Sequence, residues 1–505
     1  MSRVVVVGNG MVGSRFAADL VEGDGGRFRV TVLGAEGPTP YNRVLLSQVV
    51  AGRYDPDAIG LPSPDPERVS VRAGTVAVAV DREDRSVLAS DGSRHRYDFL
   101  VLATGAAARV PDLAGADPAP EGLHTLRTLE DARAVVAATR EARRAVVLGA
   151  GVLGVETAVA LSRRGLAVTV VHPSSLMDRQ LDRSAAEVLA AGMDRLGIAH
   201  RSGVRASRVL SRQRRVSGLA LADGSTLEAE LLVLCVGTVP ETDLARAAGL
   251  PVRRGVVVDE HLASPADRRV FAVGDCAEPP EGASGLIAQG WEQAARLVAR
   301  LRATGTGTGA LPPRRDRVAD DVVTLKAEGL DVVTMGVTGD RTRDPSLRTL
   351  QLSDPGAGRH VQVVVSGERL VGATCLGDPE VAAELLTTYT RGAPVPSDPA
   401  RLLLTALAST AGPAAAVTDL PEEAVVCRCN GVTRGAIEHA CRQGARTLEQ
   451  VAARTRASTG CGGCRADVCA LLAARPAPSP TPLDDCEDSV TTVSSLASSA
   501  VTSAS

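Results

Sequence analysis

Aromatic side chains are scarce in this 505-residue chain, with one Trp, four Tyr and four Phe. A surface that stacks nucleobases needs more than that. The formal net charge of −3 leaves no basic footprint for nucleic acid either. Lysine is almost missing: Lys326 is the only one, and arginine supplies the rest of the 56 basic residues. No apolar run approaches the roughly 20 residues of a membrane span. No secretory leader is legible, because Val4 to Val7 runs directly into Gly8-Asn9-Gly10, a strand and a turn. The expectation is a cytoplasmic chain with no nucleic-acid or membrane partner. Its ten cysteines are then thiols or metal ligands, not structural disulfides. None of them precedes Cys235.

What is present is ordinary for a globular protein, at 44% hydrophobic and 23% charged residues. The length suggests about three domains. Arg3 to Val7, Gly8 to Gly13 and Ser14 to Val21 read as strand, glycine turn and helix, and the apolar run Val30 to Leu33 follows. The pattern returns at Ala145 to Leu148, Gly149 to Gly154, a helix through Ser162, and Ala167 to Val171. This is duplication of a nucleotide-binding unit at domain scale. Further buried-strand runs end at Thr104-Gly105, at Gly237 and at Gly274-Asp275. A Gly/Thr/Pro linker (303–313) precedes a small mixed α/β segment, and an Ala/Pro-rich connector (392–421) precedes a cysteine-bearing, mostly helical unit. Residues 476–505 are Ser/Thr/Pro/Ala-rich and are expected to be disordered.

Gly8-x-Gly10-x-x-Gly13 follows a strand and opens a helix, the context in which the pattern carries chemistry. The first glycine permits the tight turn, the second lets backbone N–H groups approach a pyrophosphate, and the third lets helix and strand pack closely. The helix N-terminus adds partial positive charge. Glu36, after the second strand, is a candidate ribose ligand. Gly149-x-Gly151-x-x-Gly154-x-Glu156 repeats the arrangement. Its second strand ends at His172, where an NAD-selective site carries an acid, so one reason to prefer NADH over NADPH is gone. His172 can equally be a surface histidine at a strand end.

Cys427-x-Cys429 and Cys461-x-x-Cys464, separated by 31 residues, place four thiolates in two close pairs. Soft ligands of this kind select iron–sulfur or zinc, and a Cys461–Cys464 redox dithiol is a further reading. Cys235 and Cys276 are expected to fill small apolar sites at strand ends. Cys441 and Cys469 are expected to pack within helices, and Cys486 to be a free thiol in the tail. Lys326 is read as a solvated charge on a strand, in preference to a role for the Leu325-Lys326 pair.

The ordered set Gly8-Gly10-Gly13, Ala103-Thr104-Gly105, Gly149-Gly151-Gly154 and Val273-Gly274-Asp275 resembles the two-dinucleotide flavoprotein reductases. The segments Tyr41 to Ser47, Leu176 to Asp182 and Trp291-Glu292-Gln293-Ala294 are similar to the N-terminal half of NAD(P)H nitrite reductase large subunits and to assimilatory nitrate reductase electron-transfer subunits. Thr238-Val239-Pro240-Glu241 departs from that family's Ile-Arg-Pro-Asn-like run. The surroundings of the four cysteines resemble the bacterioferritin-associated-ferredoxin-like [2Fe–2S] module.

The resemblance implies an α/β fold with two Rossmann-like dinucleotide-binding domains, a small α/β third domain and a small helical [2Fe–2S] domain. It implies FAD binding by 1–113 with 241–302, NAD(P) binding by 114–240, a reductase domain over 316–392 and a [2Fe–2S] domain over 422–475. FAD is expected at Gly8, Gly10, Gly13, Glu36, Asn42, Arg43, Ser47, Thr104, Gly105, Gly274 and Asp275, the last on the ribityl side. NAD(P)H is expected at Gly149, Gly151, Gly154, Glu156 and Gly237, with Glu156 positioning the carboxamide. Cys427, Cys429, Cys461 and Cys464 are the implied cluster ligands, and no side chain is assigned as catalytic. The disulfide reductases of the wider family carry a cysteine pair near the first flavin segment, and this chain has none there. It has no stretch after the cysteine unit for a sirohaem half, so only the electron-input function is implied. The implied partner is a nitrate reductase catalytic subunit or another redox acceptor protein, with the cluster on a tethered module as the exit. The rival readings are a general NAD(P)H:ferredoxin or rubredoxin reductase, and a non-enzymatic redox sensor or adaptor. No oligomeric state is assigned.

Overall fold

The computed structural model describes residues 1–37, 39–303, 321–339, 342, 344–403, 417–427, 430–458 and 464–474. Cys429, Cys461, Cys486, nearly all of the first connector, residues 404–416 of the second and the C-terminal tail lie outside the described residues.

Four consecutive valines make the strand Ser2–Val7, whose last four residues are all buried. β-branched side chains suit a strand covered on both faces. Burying each contributes about 1.5–3 kcal/mol. This strand pairs in parallel with Phe28–Gly34 on one side and Phe99–Leu102 on the other. The six-stranded sheet runs from Val69–Ala73 through these three to Asp267–Ala272 and the short Ala263–Ser264. The strand that completes it therefore arrives from far down the chain. The helix Met11–Val21 turns Phe16, Ala17 and Leu20 onto the sheet, and Ile287–Ala303 packs beside it.

A second parallel sheet orders Ala199–Ser202, Ala167–His172, Arg144–Leu148, Leu231–Leu234 and Leu123–Thr125. Its crossover helix Val152–Arg163 buries Val155, Ala158, Val159 and Leu161. In both units the glycine turn lies beyond the carboxyl end of the first strand, the crevice in which open α/β sheets bind ligands.

The third unit is a five-stranded sheet, antiparallel throughout, with the helix Pro379–Arg391 against it. Asp378 caps that helix, Pro379 starts it and Gly392 ends it in the left-handed region. The cysteine-bearing unit is a two-stranded ladder, Val425–Cys427 with Val432–Thr433, and three helices, Arg434–Arg442, Leu448–Thr455 and Arg465–Ala473. Thr433 and Thr447 cap the first two by accepting a backbone N–H. Ile437, Val451 and Val468 meet in its small core.

Candidate functional site

A cavity of 970 Å³ opens at the carboxyl end of the first sheet, and Gly8, Asn9 and Gly10 line it. Gly8 has φ +113°, and a Cβ there would sit 2.1 Å from the Ala103 carbonyl oxygen. A Cβ on Gly13 would sit 2.1 Å from the Gly8 carbonyl oxygen. Both glycines are therefore demanded by the fold. Gly10 is different, since the nearest atom to its Cβ would be Arg43 Nε at 3.9 Å. Gly10 is the N-cap of the helix Met11–Val21 and supplies no side-chain cap, so the first backbone N–H groups face the cavity without one. Asn9 Oδ1 is buried there with no hydrogen-bond partner. A glycine cradle and uncapped N–H groups fit the pyrophosphate of a bound dinucleotide.

Around the rim, Tyr41 donates to Glu36 Oε2 at 2.6 Å, and Arg43 pairs with Glu36 Oε1. Burial pushes the Tyr41 hydroxyl well above its ordinary pKa. Asn42 does not line the cavity. Its buried side chain accepts from Val44 N at 3.0 Å and shapes the turn. Thr104 and Gly105 line the cavity, and Thr104 donates to the Glu241 carbonyl at 2.7 Å. Gly274 and Asp275 line it from the opposite side. Gly274 N donates to Gln293 Oε1 at 2.7 Å, and Arg127 holds Asp275 Oδ2 at 2.7 Å. Sequence reasoning missed Arg127 and Asn9. Arg127 lies in no motif, and Asn9 is the variable position inside one.

The second glycine turn repeats the first. Gly149 has φ +109°, and a Cβ there would meet the Cys235 carbonyl oxygen at 2.4 Å; one on Gly154 would meet the Gly149 carbonyl oxygen at 2.0 Å. A Cβ on Gly151 has nothing within 4 Å. Gly149, Gly151, Gly154 and Gly237 do not line the large cavity, but Val152, Leu153 and Glu156 of the helix they open do. The glycine demand and the open space at Gly151 fit a second dinucleotide. His172 accepts the Ala150 backbone N–H at its Nδ1, 3.2 Å away, so its Nε2 carries the proton and faces Asp178 Oδ2 at 3.8 Å. Burial lowers its pKa, and it is not a surface histidine.

Lys326 is not the solvated strand charge expected from sequence. It sits in the loop after Val323–Thr324, lines the cavity, and places Nζ 2.9 Å from Glu156 Oε1. Ser47 donates to Glu156 Oε2 at 2.6 Å, the Lys326 backbone N–H donates to Oε1 at 2.9 Å, and Gln48 donates to the Lys326 carbonyl at 2.6 Å. A buried carboxylate thus draws donors from the first and third units to the cavity wall. No signal in the sequence joins positions so far apart.

Cys235 and Cys276 are buried, as expected, and burial pushes the Cys235 thiol up to about 12. Neither lines the cavity. In the cysteine-bearing unit Cys427 and Cys464 are buried together. Hydrogen bonding to Cys427 and then burial push the Cys464 thiol far above the ordinary range. Asn430 Nδ2 lies 3.7 Å from Cys427 Sγ, and Ser458 Oγ lies 3.4 Å from Cys464 Sγ. Two adjacent buried thiols with polar neighbours fit a metal centre that would hold both as thiolates. Among the described residues no third His, Cys, Asp or Glu joins them, Cys429 and Cys461 lying outside. Cys441 is buried as expected, whereas Cys469 is exposed, because it falls on the outer face of the helix Arg465–Ala473.

Two glycine-turn units walling one cavity, with a paired-thiol module beside them, define a two-dinucleotide flavoprotein with a metal-cluster domain. The chain belongs to the pyridine nucleotide-disulphide oxidoreductase family, which matches residues 2–295. Residues 425–474 match the BFD-like [2Fe-2S] binding domain. The chain is thus an FAD-dependent NAD(P)H oxidoreductase with a [2Fe–2S] cluster. It is 35% identical over 476 residues to the nitrite reductase [NAD(P)H] large subunit of Klebsiella oxytoca, covering 92% of this chain and 48% of that one. It is 29% identical over 468 residues to the assimilatory nitrate reductase electron transfer subunit of Bacillus subtilis, covering 92% and 58%. The chain spans about half the length of these curated relatives. The covalent putidaredoxin reductase–putidaredoxin complex matches with a TM-score of 0.70 at 25% identity, covering 81% of this chain and 99% of that one. Among the described residues no helix is long and apolar enough to cross a membrane.

Proposed function

We propose that the chain is the electron-input component of an assimilatory nitrate or nitrite reductase, delivering electrons from NAD(P)H to a cytoplasmic redox protein. The observation that carries this reading is one cavity walled by Gly8 and Gly10 of the first glycine unit and by Glu156 of the second. When bound, nicotinamide and flavin supply hydride chemistry and the cluster supplies single-electron chemistry.

The residues have separable tasks. Gly10 and the N–H groups after it receive the FAD pyrophosphate, and Glu36 stands at the ribose end of the same strand crevice. Asp275, steadied by Arg127, would hold the ribityl side of the flavin. Gly149, Gly151 and Gly154 form the NAD(P) turn, and Gly237 borders it. Glu156, braced by Ser47 and Lys326, orients the carboxamide end of the nicotinamide. Cys427, Cys429, Cys461 and Cys464 hold the cluster. No side chain is required to transfer a proton in the hydride step.

Anaerobic titration of the purified protein with NADH and with NADPH, followed by turnover with a nitrate reductase catalytic subunit, tests the proposal. Flavin and iron–sulfur bands that bleach, with electrons reaching nitrate, support it. A colourless protein points instead to a sensor or adaptor. The similarity to putidaredoxin reductase favours a second reading, reduction of a ferredoxin-type or rubredoxin-type acceptor. Fast reduction of such a protein with none of nitrate reductase selects it.

A further inference from the structure

The cysteine-bearing module does not hang free of the flavin-binding unit. Arg15, on the helix Met11–Val21, reaches Asn430 Oδ1 with Nη1 at 2.7 Å. The same guanidinium lies 4.9 Å from the ring centroid of Trp291, the only tryptophan of the chain. Asp19, one turn on, pairs with Arg15 Nε at 3.4 Å and with Arg456 of the module. Asn430 closes the loop, donating from Nδ2 to the Arg456 carbonyl at 2.7 Å and lying 3.7 Å from Cys427 Sγ. Arg456 ends the helix Leu448–Thr455 in the left-handed region, φ +64°, ahead of Ala457 in the module core. A second foot stands apart from the first, with the Arg465 guanidinium 5.1 Å from the Tyr54 ring centroid.

We infer that the face of Met11–Val21 bearing Arg15 and Asp19 is the docking surface for the chain's own [2Fe–2S] module. Arg15 is the positioning residue that sets cluster ligand Cys427 against the flavin-binding unit. The contacts run without a break from the cavity to the cluster ligand. Gly290 lines the cavity, Trp291 follows it, Arg15 stacks on Trp291, and Asn430 joins Arg15 to Cys427. Arg15, Asp19 and Arg456 keep only 22%, 20% and 28% of their side-chain exposure. Linked, partly buried charges of this kind are worth more than isolated surface pairs. A cation over an indole adds to them.

The inference deepens the proposed electron route and rests on it for its redox consequence. With both groups bound, reduced flavin would supply two electrons and one proton, the cluster held by Cys427 and its partners would take the electrons singly and pass each to the acceptor protein, and the proton would go to solvent. With the module seated here, the transfer occurs inside one molecule without a search.

The test uses the full-length holoprotein and two readouts. Hydrogen exchange over 11–21 and 430–442 reports docking. Stopped-flow bleaching of the cluster band after NAD(P)H reports transfer, with flavin bleaching as the internal control. Asp19→Arg is expected to raise exchange in both segments at least tenfold. Asp19→Arg with Arg456→Asp is expected to restore protection in part, because the pair with residue 456 is re-formed with its charges exchanged while the pair with Arg15 is not. Arg15→Ala is expected to slow cluster bleaching at least tenfold and leave flavin bleaching within twofold. Unchanged exchange in Asp19→Arg overturns the docking surface. Unchanged cluster bleaching in Arg15→Ala overturns the positioning role. A wild-type cluster that never bleaches while both segments stay protected sinks the electron route and leaves the docking surface standing.

Discussion

Lys326 Nζ stands 2.9 Å from Glu156 Oε1, although 170 residues separate them. Glu156 belongs to the helix opened by the second glycine turn, Ser47 to the first unit and Lys326 to the third. Three units thus meet on one buried carboxylate at the cavity wall. A carboxylate taken out of water needs such donors to be tolerable there.

Lys326→Met removes one of three donors and leaves the Ser47 hydroxyl and a backbone N–H in place. The expected loss of unfolding free energy is about 1–3 kcal/mol, the cost of leaving a buried polar group short of a partner. Lys326→Met with Glu156→Gln should recover at least half of it, because no unpaired charge is then buried. Denaturant unfolding of the two singles and the double measures the coupling. Strict additivity would show that the pair contributes nothing.

Gly13→Ala and Gly10→Ala should separate folding from cofactor binding. At Gly13 the new Cβ meets a backbone oxygen at 2.1 Å, so helix and strand must part and stability falls by more than about 2 kcal/mol, as overpacking does. At Gly10 the nearest atom is 3.9 Å away, so the protein folds as before and loses flavin affinity instead. Thermal unfolding of the apoprotein, paired with flavin content, reads both. A Gly10→Ala protein that retains full flavin removes Gly10 from the site.

Acid should destabilise the third unit through His360. Its ring is fully buried, and neither nitrogen has a hydrogen-bond partner. Burial lowers its pKa below 6.5, and Asp182 on the facing helix cap offsets this only in part. The unfolded chain therefore binds the proton at a pH where the folded chain refuses it. Stability is full above about 6.5 and declines as the pH falls through the lowered value, by at most about 1.4 kcal/mol per pH unit from this one group. His172 and His124 shift in the same direction. His360→Leu should flatten the decline in unfolding free energy between pH 7 and 5. A wild-type slope in that variant assigns the acid sensitivity to the other histidines.

Cys464→Ser should abolish or strongly weaken the iron–sulfur absorption, since oxygen is a harder ligand than thiolate. Flavin reduction by NAD(P)H should stay within about twofold, because Cys464 does not line the cavity. Iron and sulfide analysis beside stopped-flow kinetics checks both halves. A protein that binds zinc stoichiometrically in place of iron would identify a structural metal.

Much of this molecule was decided locally. A strand of valines, a glycine turn and an amphipathic helix occupy a few consecutive residues, so both dinucleotide units were legible in Val4–Gly13 and Ala145–Gly154. The physical reason is steric. At Gly8, Gly13, Gly149 and Gly154 a Cβ would strike a backbone oxygen, and no other residue type serves. The [2Fe–2S] domain was legible because each of its two cysteine pairs is a short local pattern. Tertiary structure alone decided what lies between units. Lys326 looked like a solvated charge because nothing near it in sequence calls for a cation; its partner, Glu156, lies on a helix of another unit. Arg127 reaches Asp275 across 148 residues, and Arg15 reaches Asn430 across 415. Cys469 shares its helical pattern with buried neighbours, and only the packing of that helix turned it outward. Backbone sterics act between adjacent residues and leave a mark in the sequence. A single charge pair between domains depends on how whole units dock, and its two halves carry no common pattern.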